Sequence, residues 1–72
     1  MSDKKVFREI FNFFTKYRDL LGNMDELAYW ASAAEEMGKI GAELGGTDFV
    51  TDLFVAVYTE LSRRADERKA QG

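Results

Sequence analysis

The chain has 72 residues, a net charge of −3, and no Cys, His or Pro. That composition excludes disulfides and His- or Cys-ligated zinc, so a dense apolar core must supply the stability of what is one small domain. The longest wholly apolar run, 53–58, is far too short to span a bilayer, and Arg8 and Glu9 interrupt any signal-peptide core after Lys4 and Lys5.

The first segment, 3–21, reads as a helix. Val6, Phe7, Ile10, Phe13, Phe14, Tyr17, Leu20 and Leu21 recur at i, i+3, i+4, i+7, and Phe11 at the margin widens the stripe to roughly half the circumference. A helix packing two neighbours explains that width. A basic amphipathic helix on a membrane is the competing reading, through Lys4, Lys5, Arg8, Lys16 and Arg18. It is set aside because so small a domain needs the stripe for its core.

Gly22 stops the first helix, and Asn23 followed by Glu26 has capping-box spacing for a central helix over 24–44. Leu27, Trp30, Ala34, Met37, Gly41 and Leu44 form its expected core seam, with Trp30 substantially buried. Gly38 and Gly41 each cost about 1 kcal/mol against alanine in a helix interior, so a close helix neighbour is expected there. A kink or an early end near Gly41 is the alternative.

Gly45-Gly46 breaks the chain again, and Thr47 or Asp48 can cap a third helix over 48–69. Val50, Leu53, Phe54, Val57 and Leu61 give its core stripe. Thr51, Val55, Thr59 and Ser62 lie on its outer side. The segment 49–58 is the one place where β-branched content permits a strand, but no second strand is present to pair with it. The charged tail from Arg63 to Gly72 is expected to fray. The fold class is therefore all-α, a compact three-helix domain. Apolar residues beyond the central stripes, Phe49, Val55 and Tyr58 among them, make a homodimer the expected assembly.

Charge is uneven along the chain. Residues 1–22 carry five basic and three acidic side chains, residues 23–52 one basic and seven acidic, and residues 53–72 four basic and three acidic. On the central helix Asp25, Glu36 and Glu43 share a narrow sector beside Tyr29, with Ile40 bordering it. Those five residues are the candidate partner-binding site, an acidic and apolar face for a protein with a basic surface. A merely solvated face is the plain alternative.

Catalytic chemistry has little to draw on. Without His or Cys the commonest general base and soft nucleophile are missing, and Ser2, Ser32 and Ser62 lie in no nucleophile-elbow pattern. Adjacent Glu35 and Glu36 point to different sides of a helix, and the Glu-x-x-His of a di-iron site cannot be built. The glycines of 41–47 lack the lysine and the preceding strand of a phosphate loop, and Asp48 and Asp52 are on helical rather than calcium-loop spacing. No catalytic residue, metal ligand or cofactor is expected. Sequence-specific nucleic-acid binding is disfavoured, since Asp48 and Asp52 would open the recognition helix of a helix-turn-helix.

Phe13-Phe14-x-Lys16-Tyr17-Arg18-Asp19-Leu20, Trp30, and Ala56-Val57-Tyr58-x-Glu60-Leu61-x-Arg63-Arg64 resemble small helical proteins encoded by phages and mobile elements of gut Firmicutes. The resemblance covers core positions and implies a fold more than an activity. Small acidic phage proteins include inhibitors of bacterial defence, anti-CRISPR proteins among them. The resemblance therefore implies a non-enzymatic inhibitor acting in the cytoplasm of a bacterial host. A self-associating structural protein, an antitoxin-like regulatory partner and a small-molecule binder are the alternatives.

Overall fold

Three helices account for nearly all of residues 2–71, the part of the chain that the computed structural model describes: α1 (Asp3–Leu20), α2 (Glu26–Glu43) and α3 (Asp48–Gln71). Each begins on a side-chain cap that satisfies an early orphan amide. Ser2 Oγ accepts from the Lys5 N–H at 3.2 Å, Asp25 Oδ2 from Ala28 at 3.1 Å, and Thr47 Oγ1 from Val50 at 3.3 Å. Thr47 rather than Asp48 is thus the third cap. The expected Asn23–Glu26 box is not formed. Asn23 instead donates from Nδ2 to the Asp19 carbonyl at 2.9 Å, fastening the turn to the end of α1.

Both turns need left-handed backbone. Gly22 has φ +82° and Gly45 φ +93°. After α2 the Gly46 N–H bonds the Gly41 carbonyl at 2.8 Å and the Gly45 N–H the Ala42 carbonyl at 3.2 Å, the Schellman pattern that satisfies the last carbonyls of a helix. The helix therefore runs through Gly38 and Gly41 without an early end.

α2 runs back along α1, and α3 returns parallel to α1. Val6, Ile10, Phe13 and Tyr17 of α1 meet Tyr29, Ala33 and Leu44 from α2 and its cap, and Val50, Phe54 and Leu61 of α3. Edge-to-face rings bind the layers: Phe13 to Phe54 at 5.4 Å and Tyr17 to Tyr29 at 5.5 Å between centroids. Six residues longer than its neighbours, α3 stretches the molecule to 42 Å along one axis against 18 and 17 Å across.

The tail does not fray where expected. α3 remains helical to Gln71, while Gly72 lies outside the described residues. Lys69 Nζ reaches Glu26 at 2.7 Å, and the Arg68 guanidinium lies against Gly22, so the C-terminal turns clasp the α1–α2 connection. Arg63 and Arg64 both bind Glu60 one turn earlier, which pulls the Glu60 carboxyl down to about 2. Among the described residues no helix is long and apolar enough to cross a membrane.

Candidate protein-binding surfaces

α2 is rotated by roughly 60° about its axis from the orientation its glycine-rich seam suggests, taking 100° per residue. Tyr29 and Ala33 point into the core, with Ile40 and Met37 packed at its edges. Leu27, at the head of the expected seam, is 82% exposed, and Ala34 and Gly38 face solvent. No neighbour stands within 4 Å of the place where a Cβ would sit on Gly38 or Gly41, so the expected close helix contact is absent from the monomer. Trp30 is half-buried, its ring against Tyr29 at 4.7 Å and Tyr58 at 5.3 Å.

The rotation has a physical cause. Tyr29 can bury its ring and still satisfy its hydroxyl, which donates to the Tyr17 carbonyl at 2.9 Å. Tyr17 is wholly buried, and its own hydroxyl pairs with Ser32 Oγ at 2.9 Å. Two tyrosines with partners thus outcompete the Leu27 side of the helix for the interior.

The candidate site of Asp25, Tyr29, Glu36, Ile40 and Glu43 is consequently dispersed. Tyr29 is 2% exposed and belongs to the core, not to a surface. Burial pushes its phenol above the usual value, with the nearby Tyr17 adding to the shift. Ile40 packs against the core, Asp25 serves as the helix cap, and Glu36 pairs with Lys16 of α1. Only Glu43 of the five is an exposed side chain free of these duties. Glu26 and Glu35 are also paired, with Lys69 and Lys39. Among the described residues Asp25, Glu43, Asp48 and Asp52 are left as the carboxylates of the acidic segment without a cation within salt-bridge distance, the last three flanking the α2–α3 turn.

Two exposed apolar surfaces take the place of the expected one. On the α1–α3 side Phe7 and Phe49 pack edge to face at 5.6 Å, and Phe11, 64% exposed, stands one turn further along α1. On the α2–α3 side a shallow groove of about 220 Å³ is lined by Met37, Thr51, Phe54, Val55 and Tyr58. Periodicity placed Phe7 and Phe11 in the wide stripe of α1 but could not show that α3 covers only half of it. The signal for the groove was the wholly apolar run from Leu53 to Tyr58, which leaves that part of α3 hydrophobic nearly all round.

A third concavity, about 140 Å³, lies at the other end, between the α1–α2 turn and α3, with Tyr29, Trp30 and Leu21 as walls and Arg68 and Lys69 at the rim. Among the described residues no group of three acidic side chains gathers as a metal site needs. The chain matches no protein family, no curated protein and no solved structure with which it was compared.

Proposed function

We propose that this protein is a non-enzymatic protein-binding module whose main contact is the patch of Phe7, Phe11 and Phe49. The observation that supports this reading is the exposure of three large aromatic rings in a domain whose stability depends on burying such rings. Aromatic side chains, phenylalanine among them, are enriched at the buried centre of protein interfaces. The net charge of −3 and the unpaired carboxylates at the α2–α3 turn favour a partner with a basic surface, through steering rather than through direct pairing at Tyr29.

The specific form we favour is an anti-CRISPR-like inhibitor, encoded by a phage or mobile element, that occupies a basic surface on a host defence effector. That choice rests on the resemblance carried by Phe13–Leu20 and Ala56–Arg64. Affinity capture from host lysate with the native protein and with Phe11→Asp tests the reading, after circular dichroism has matched the two folds. A discrete partner held by the native protein, lost with Phe11→Asp and weakened by salt, is expected. Equal capture by both proteins overturns it.

A further inference from the structure

We infer that the α2–α3 face is a second interface, separate from the phenylalanine patch, and that a second copy of this chain covers it in an antiparallel two-fold dimer. Leu27 is 82% exposed in the first turn of α2, and on α3 Val55 is 59% exposed with the exposed Tyr58 beside it in the groove. Between these side chains the surface is nearly bare: Ala31, Ala34 and Gly38 on α2, Thr51 and Thr59 on α3. Apolar residues this open on so small a domain mark a contact surface. The face must still be shown to fit itself, since an interface across a two-fold axis is self-complementary.

Shape gives the first fit. With α2 antiparallel to its copy and crossing at Ala34, Leu27 of one chain falls opposite Gly41 of the other. Gly41 has nothing within 4 Å of its absent Cβ, and Met37, Thr51 and Val55 line the groove beside it. The projecting leucine of each chain thus enters the open groove of its partner, twice by symmetry.

Charge gives the second. On α3 Asp52 and Arg63 are about three turns apart and project from one side within roughly 20°. Asp52 has no cation within salt-bridge distance among the described residues, whereas Arg63 extends across the surface to Glu60 and Glu67. In an antiparallel pair of α3 helices centred between Val57 and Tyr58, Asp52 of each chain meets Arg63 of the other at the rim. Otherwise the middle of the face carries no charge, so two chains of net charge −3 approach there with least repulsion.

The two centres agree. Trp30 touches Tyr58 at 5.3 Å, and Met37 lies in the groove with Val55 and Tyr58, which sets Ala34 level with the middle of α3. One two-fold axis across both helices therefore satisfies the leucine fit and the charge fit together.

Sedimentation equilibrium over about 1–100 μM, the range of a micromolar dissociation constant, decides the matter. The native protein should form a dimer, and Leu27→Glu should leave helicity unchanged while making it monomeric. Asp52→Arg or Arg63→Asp alone should weaken the dimer at least about tenfold, by setting like charges face to face. The double exchange, Asp52→Arg with Arg63→Asp, should restore it, an effect that loss of the intrachain Arg63 pairs cannot produce. Phe11→Asp should leave the dimer intact, which separates this interface from the proposed partner site. A native monomer at 100 μM, a dimer indifferent to Leu27→Glu, or a double exchange no stronger than either single change each overturns the proposal.

Discussion

The Tyr29 hydroxyl donates to the Tyr17 carbonyl, and the same oxygen accepts the Leu21 N–H that closes α1, at 2.9 and 3.1 Å. One carbonyl thus ends a helix and fixes the rotation of the next. Tyr29→Phe should cost only about 1 kcal/mol, because Leu21 still satisfies that oxygen and no orphan acceptor remains. Tyr29→Ala should cost about 3–5 kcal/mol, the penalty for emptying a buried aromatic site, and clearly more than Trp30→Ala, whose ring is half-exposed. Chemical denaturation of the three variants checks the order; a larger loss for Trp30→Ala contradicts the rotation of α2.

Stability should also fall in alkali. Burial raises the Tyr29 pKa above its ordinary 10.0 in the folded state, so above pH 10 the unfolded chain loses this proton first. The contribution is complete below pH 10 and is lost as pH rises through the folded value. Melting temperature followed across that range should decline less steeply in Tyr29→Phe than in the native protein.

Acid acts on a different group with the opposite sign. Arg63 and Arg64 hold the folded Glu60 carboxyl near 2, below its ordinary 4.5. Its support of α3 is therefore present above pH 4.5 and disappears as pH falls toward 2. Helicity measured by circular dichroism should decline over that interval, and Glu60→Gln should flatten the decline. The effect should be small, since the pair is at the surface and screened by salt.

The glycines divide into two kinds. Gly38→Ala should stabilise the dilute monomer by about 1 kcal/mol, because its helix gains propensity and the added methyl meets nothing. Gly22→Ala should destabilise it by about 1–2 kcal/mol, as φ +82° places an L side chain in the left-handed region, and should also displace Arg68 from the turn. Thermal melts at sub-micromolar concentration separate the two cases. If both substitutions destabilise, something packs on Gly38 in the monomer.

Helix number and the two turns were legible in the sequence because Gly22 and Gly45-Gly46 are turn residues with the required positive φ, and because the α1 stripe is strongly periodic. The orientation of α2 was not. Its residues Leu27, Trp30 and Ala34 make as regular a stripe as Tyr29, Ala33 and Ile40, so periodicity offered two faces and the tyrosine hydroxyl's distant partner decided between them. The candidate acidic site is dispersed for the same reason: Tyr29 turns into the core beside Tyr17, and Glu36 turns to Lys16 at the surface of α1. The surplus of apolar side chains on α3 was readable, and Phe49, Val55 and Tyr58 do lie at the surface.

Site-specific photocrosslinking in host lysate tests the proposed partner surface most directly. Benzoylphenylalanine at position 11 sits in the phenylalanine patch, whereas at position 35 it sits on exposed α2 beside Lys39, away from both apolar faces. A discrete covalent adduct should form from position 11 and be competed away by unlabelled native protein, and none should form from position 35. An adduct formed from position 35 and not from position 11 would contradict the proposed surface, returning the partner contact to the charged side of α2.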